Sequence, residues 1–342
     1  MNKLFALALL LISFLPFSQV LEMKTISNAP VIIRAIQIWD GKVWYSGTDS
    51  KFGYVNLTDS ADRKEKTLYG KPLQFRTLAQ SKKYFYAINI ESPARFFQIN
   101  KKDLTKKIVF TDTLSTAFYD ALHFYNDNSG IAFSDPAFNQ KLNTALTQNG
   151  GETWSHCYDC DALPSLENGE AAFAASNSNI SSFKDKFIWI ATGGKKSRIF
   201  RSKNYGCQWE VFETPIIQGT STQGIYSIDF YDKKFGIVVG GDYTKQSENI
   251  NNIATTNDGG KTWQIQASGK NAGYTTCVKI RPQSGGKDII AVGDQHVSYS
   301  SDYGKTWKKL SSEKGLYVCE WVDRNTIVFA GKNKIIKAKL PF

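Results

Sequence analysis

The sequence predicts an all-β chain folded as a β-propeller of seven blades. Three observations predict it: an eight-residue turn motif that returns four times, a strand–turn–strand unit that returns seven times, and no stretch with sustained helical periodicity. The 342 residues are 42% apolar and 13% aromatic, with 26 Gly, a composition too apolar for a disordered chain.

The turn motif reads TQNGGETW from Thr147, SKNYGCQW from Ser202, TNDGGKTW from Thr256 and SSDYGKTW from Ser300. Each copy has Ser or Thr, then Asp or Asn two on, Gly four on and Trp seven on. The Trp spacings are 55, 54 and 44 residues, near the ~40–50 of one propeller blade. The chemistry is that of a tight turn. Asn149, Asn204, Asp258 and Asp302 can accept backbone N–H groups two or three residues on. The Gly permits positive φ, and Trp154, Trp209, Trp263 and Trp307 anchor the hairpin. These eight residues are therefore read as structural.

Upstream of each motif lies an alternating strand, a polar turn and a strand ending in small residues, as in IYSIDFYDKKFGIVVGGD. Seven such units start near Val31, Leu73, Phe118, Gly169, Gly224, Gly273 and Gly315, or about 46 residues each. The first two units keep only eroded turn motifs, around Asp59 and Asp103. The last unit has room for three strands. Its fourth is expected from Val20 to Ile26, which would leave no open sheet edge.

The turn motif resembles the Asp-box, or bacterial neuraminidase repeat, of sialidases and other propellers. Over the whole chain after the leader, the sequence further resembles the photosystem II stability/assembly-factor-like propellers. The residues that carry this are RAIQIWDGKVWYSGT from Arg34, SPARFFQI from Ser92, GIAFSDP from Gly130, GEAAFAAS from Gly169, and GIYSIDF with GIVVGGDY from Gly224. The resemblance implies a seven-bladed propeller that holds a protein or cofactor partner on one face, where arginines are prominent. It does not imply photosynthesis, and no Gly-rich dinucleotide loop supports oxidoreductase chemistry.

Propeller geometry places function at the mouth of the central channel. In the alignment of the seven units, the innermost strands start with Arg34, Arg76, Asp120, Glu170, Tyr226, Thr276 and Tyr317. The second strands end on Asp49, Glu91, Asp135, Asp242 and Asp294, and third strands begin near Arg95 and Arg198. Arg34, Arg76, Arg95, Asp120, Asp135, Glu170, Arg198, Tyr226 and Asp242 are therefore the expected funnel residues. Two functions compete for them. A non-enzymatic binding or assembly protein would use the arginines as planar forks for carboxylates or phosphates. A sialidase-type hydrolase would need three Arg, a Tyr–Glu nucleophile pair and an Asp acid, which Arg34, Arg76, Tyr226, Glu170 and Asp120 could mimic. The Arg-Ile-Pro signature of sialidases is absent, since RAIQ stands at Arg34. Alternatively, the charges pair with one another and plug the channel.

Residues 1–19 are expected to be a cleaved signal peptide. Lys3 opens the segment, and Leu4 to Phe17 form an apolar run shorter than the ~20 residues that span a bilayer. Residues 20–342 would then form one propeller, secreted or periplasmic and monomeric, with no integral membrane segment. The net charge is +11, which favours an acidic ligand or protein partner. A glycan fits the hydrolase alternative. No recognition helix or arginine-rich run points to nucleic acid. Neither a metal nor a cofactor is expected, because the lone CxxC of Cys157 and Cys160 lacks a second pair and fits a local disulfide or two free thiols. Cys207, Cys277 and Cys319 are expected to be buried in strands.

Overall fold

The computed structural model describes residues 21–136, 140–156, 165–184 and 186–340. The expected leader and the Cys157–Cys160 pair therefore lie outside the described residues. Four-stranded antiparallel sheets succeed one another along the chain as the seven blades of a propeller. Blade one is built from Ile33–Trp39, Lys42–Gly47, Lys51–Asn56 and Arg63–Thr67, innermost strand first. Blade five, from Gln223–Phe230 to Gln264–Ile265, repeats the plan. In the last blade the three strands from Leu316–Trp321 to Ile335–Lys339 take their fourth from Glu22–Ser27, antiparallel to Ile335–Lys339.

Apolar residues alternate along these strands, so each blade buries both faces against its neighbours. Blades one and two meet through Ala35, Trp44, Phe52, Phe75, Phe85 and Phe97. Blades six, seven and one share a larger cluster around Val292, Phe329 and Ile36. Cys277 and Cys319 lie in that cluster with Sγ atoms 3.8 Å apart. Cys207 departs from expectation. It is exposed, because it belongs to the turn of SKNYGCQW and not to a strand.

The four recurrent turns share one hydrogen-bond pattern, which refines the sequence reading. The Gly N–H donates to the leading hydroxyl, at 2.9 Å for Thr147 and Ser202, 3.0 Å for Thr256 and 2.9 Å for Ser300. The Asx oxygen accepts from the residue four on, reached from Thr153, Gln208, Thr262 and Thr306 at 2.9–3.0 Å. The Trp indole closes the loop by donating to the Gly carbonyl, as from Trp154 to Gly151 at 3.2 Å. Each turn also docks on the blade before it. Trp189 Nε1 and Arg201 Nη1 of blade four both donate to Gly259 O of blade five at 2.9 Å. Blades one and two use simpler Asx turns, with Asn56 and Asn100 accepting from Thr58 N and Lys102 N.

Blade four differs from the alignment. Its innermost strand is Ile180–Phe183, paired with Phe187–Ala191. Glu170–Ala171 instead pairs with Gly193–Gly194, which meets Gly224 of blade five. Residues 172–178 run across the propeller axis between these two positions. Ser176 Oγ donates to Thr276 O of blade six, and Asn177 Nδ2 donates to Leu78 O and Leu122 O of blades two and three. Only small side chains fit where seven strands converge, which is why the run reads Ala-Ala-Ser-Asn-Ser.

Candidate functional site

The channel mouth is positioned by an irregularity repeated in most blades. Arg34, Asp120, Tyr226 and Tyr317 are each the extra residue of a β-bulge near the start of an innermost strand. In blade two the extra residue falls between Phe75 and Ala79, where Arg76 lies. A bulge twists the strand and turns its extra side chain away from the regular ladder, here toward the axis. Ser178 stands two residues before Ile180 on the axis of blade four, the place that the alignment assigned to Glu170.

The mouth holds a cleft of about 380 Å³ lined by Arg34, Arg76, Tyr226, Thr276, Asp294 and Tyr317, with Phe173, Tyr243, Gln246 and Tyr274 completing the wall. Its floor is the segment that crosses the axis. Arg34 donates to Ala175 O at 3.0 Å and lies 4.4 Å from the Tyr317 ring. Phe173 stacks on Tyr226 at 4.0 Å with the planes 2° apart, and Tyr274 meets Tyr226 edge-on at 4.8 Å. Arg76 Nη2 donates to Gln74 Oε1 at 3.3 Å, and Asp120 and Glu91 lie near enough to act on its charge. Burial and then the proximity of Arg34 lower the pKa of Arg76, so two like charges share one partly dehydrated cleft. Among the described residues neither Arg34 nor Arg76 is in an ion pair.

Asp120 and Asp135 do not line this cleft, although Asp120 lies close enough to Arg76 for the two charges to interact. Asp120 is fully buried, and neither oxygen has a partner in hydrogen-bonding geometry, although the Ala174 and Asp135 amides stand nearby. Burial first and Asp135 second push its pKa well up, against the opposing pull of Arg76. Burial also raises Asp135, to about 6, against the Ala172 N–H that it accepts.

Four expected residues have other duties. Glu170 and Arg198 form a buried pair through Arg198 Nε and Nη2. Thr192 Oγ1 and Glu167 N also donate to Glu170. These two residues plug the structure, and their charges are not offered to a ligand, because full burial is tolerated only with complete pairing. Asp242 caps its own loop, accepting from Thr244 N at 2.9 Å and Thr244 Oγ1 at 2.6 Å. Arg95 leans on the Tyr69 ring at 5.0 Å, away from the cleft. The sialidase-like set is not assembled, since the Tyr226 hydroxyl donates to Thr222 O while Glu170 is locked to Arg198.

Sequence reasoning missed Phe173, Tyr243, Gln246 and Tyr274. Tyr243 directly follows Asp242 and Tyr274 stands two residues before Thr276, so an aromatic signal was present near both positions. Phe173 was hidden by the misplaced strand of blade four.

Below the crossing segment a second chamber of about 360 Å³ follows the axis. Gln37, His123, Asp229, Lys279 and Glu320 face it from innermost strands. Its charges satisfy one another or the backbone. Lys279 Nζ lies 2.7 Å from Glu320, and Asp229 accepts from Phe230 N and Ile280 N. Burial lowers His123 to about 4, so the ring is neutral and hydrogen-bonded to Ser182. Among the described residues no group of three or more His, Cys, Asp or Glu could hold a metal.

The fold belongs to a well-populated class. Solved structures of several kinds, WD40 propellers among them, superpose on almost the whole chain. A solved structure described as YCF48 bound to D1 peptide matches with a TM-score of 0.68 at 10% identity, covering 96% of this chain and 97% of that one. YCF48 from Cyanidioschyzon merolae matches with a TM-score of 0.65 at 13% identity over 93% of this chain and 98% of that one. The WD40 repeats of RRP9 match with a TM-score of 0.63 at 10% identity over 93% and 97%. At such identities the likeness is one of fold. No family model matches the chain, and no curated protein sequence does.

Proposed function

We propose that the chain is an exported, non-enzymatic propeller of the Asp-box, assembly-factor-like kind, which holds an acidic segment of a protein partner in the Arg34–Arg76 cleft. One observation carries this reading: two guanidinium groups share an aromatic-walled cleft and, among the described residues, neither is in an ion pair, although Asp294 stands on the cleft wall. A like-charged pair in a partly dehydrated site is relieved when an anion enters, and a carboxylate or phosphate matches the planar fork of arginine. Export rests on the leader-like run from Leu4 to Phe17. The YCF48 structure with a bound D1 peptide supports the reading, in that a propeller of this fold holds a peptide segment.

The experiment is capture with the purified chain as bait on the exported protein fraction, with glutamate-rich and lysine-rich decapeptides as competitors. The expected result is a retained partner released by the acidic peptide alone. Equal release by both peptides would contradict the reading.

A further inference from the structure

Most of the positive charge lies away from the cleft. Residues 62–107 carry twelve Lys and Arg against four Asp and Glu, a net +8 of the chain's +11. Half of those cations are lysines gathered in one corner of blade two. Lys82 and Lys83 occupy the turn between its first two strands, and Lys101 and Lys102 the turn between Ala94–Asn100 and Lys106–Asp112. The Lys101 N–H donates to Lys83 O at 3.0 Å, which sets the two turns side by side. Lys106 and Lys107 follow, paired with Ile99 and Gln98.

The lysines of this corner outnumber the acids near them, Asp103 in the turn and Asp127 near Lys101. The acid within it, Asp103, has its Oδ1 engaged by Thr105 N and Thr105 Oγ1 at 2.9 and 2.7 Å. Among the described residues none of the six lysines is in an ion pair. Lys82, Lys83, Lys102 and Lys107 are exposed. Beside them Ile108 is 43% exposed, next to a shallow hollow of about 370 Å³ formed by Leu68, Tyr69 and Phe97.

We propose that this corner docks the protein on an anionic lipid surface, with Ile108 at the level of the headgroups. The choice of cation decides for a membrane. The cleft uses arginine, whose fork suits one discrete carboxylate or phosphate. The corner uses lysine throughout, a compact charge suited to a diffuse layer of headgroups. Each lysine held near such a layer strengthens attachment about fivefold, and an exposed aliphatic side chain adds to it. The described residues include no helix long and apolar enough to cross a membrane.

The test is co-sedimentation of the whole chain with vesicles containing about 30% phosphatidylglycerol, and with phosphatidylcholine alone. Binding to the anionic vesicles only, weakened by salt, is expected. Lys82→Glu, Lys83→Glu, Lys102→Glu and Lys107→Glu together should weaken it at least tenfold with an unchanged melting temperature. The equal charge change at Lys261, Lys305, Lys308 and Lys309, which are also exposed, should leave it within about threefold. Arg34→Ala with Arg76→Ala should bind vesicles as the parent does, which separates this surface from the cleft. Three results would each overturn the proposal: no sedimentation, equal losses in the two lysine sets, or tighter binding to single-stranded RNA than to vesicles.

Discussion

Each recurrent turn divides its work among three side chains. In the turn from Ser300, the hydroxyl accepts the Gly304 N–H, Asp302 takes Thr306 N and Thr306 Oγ1, and Trp307 returns a bond to Gly304 O. Asp302→Ala should cost about 1 kcal/mol through these lost bonds. Trp154, 6% exposed and packed on Phe96 and Tyr86 of the preceding blade, should cost about 3–5 kcal/mol when replaced by Ala. The Glu170–Arg198 pair is more sensitive in proportion to its size. Glu170→Ala leaves a buried guanidinium unpaired and should cost about 3–5 kcal/mol, whereas partner capture per folded molecule should not change. Urea unfolding of the three variants gives the comparison.

The acids also set opposite pH dependences. The folded pKa of Asp135 is raised, to about 6, so the folded state binds the extra proton. Its contribution therefore falls as pH rises from about 4 to 6. For Asp258, hydrogen bonds led by Thr262 N outweigh burial and lower the pKa to about 2. Its contribution is present above about 4 and is lost as pH falls toward 2. Asp135→Asn should make the stability profile rise more steeply, or fall less, between pH 4 and 6. An unchanged slope in denaturation across that window would show that Asp135 titrates normally.

At the scale of elements, the sequence showed strands and turns more clearly than it showed order along the axis. Six of the seven innermost-strand starts lie where the alignment put them, because Arg34, Arg76, Asp120, Tyr226, Thr276 and Tyr317 each precede a strongly alternating strand. Blade four misled for a local reason. EAAFAAS alternates like an innermost strand, while the true one, ISSF, is short and polar in its middle. The cleft's arginines were legible, but its aromatic wall depends on Phe173, which only the crossing segment brings to Tyr226. Pairing of charges was illegible for the same reason, since sequence does not say that Glu170 lies against Arg198. The strand Glu22–Ser27 supplies a further element-scale prediction. Deleting residues 20–27 uncovers Ile335–Lys339 and should lower both solubility and melting temperature. A truncated chain that remained monomeric with parental melting would contradict the role given to that strand.

At the scale of the molecule, the propeller separates two kinds of positive charge. Arginines sit in a narrow cleft at the axis, and lysines spread over the rim of blade two. The crossing segment of residues 172–178 closes the axis between the two chambers, so the cleft is a shallow receptor and not a tunnel. The central claim is that Arg34 and Arg76 serve a partner and do not hold the channel together. The measurement that tests it most directly is a pair of readings, melting temperature and partner capture across a salt series, on Arg34→Ala, Arg76→Ala and the double variant. Because neither arginine is in an ion pair among the described residues, melting should stay within about 2 °C of the parent. Capture should weaken at least tenfold in the double variant, and the parent's own capture should fall as salt screens the attraction. Loss of several degrees in both single variants, with capture per folded molecule unchanged, would contradict the claim.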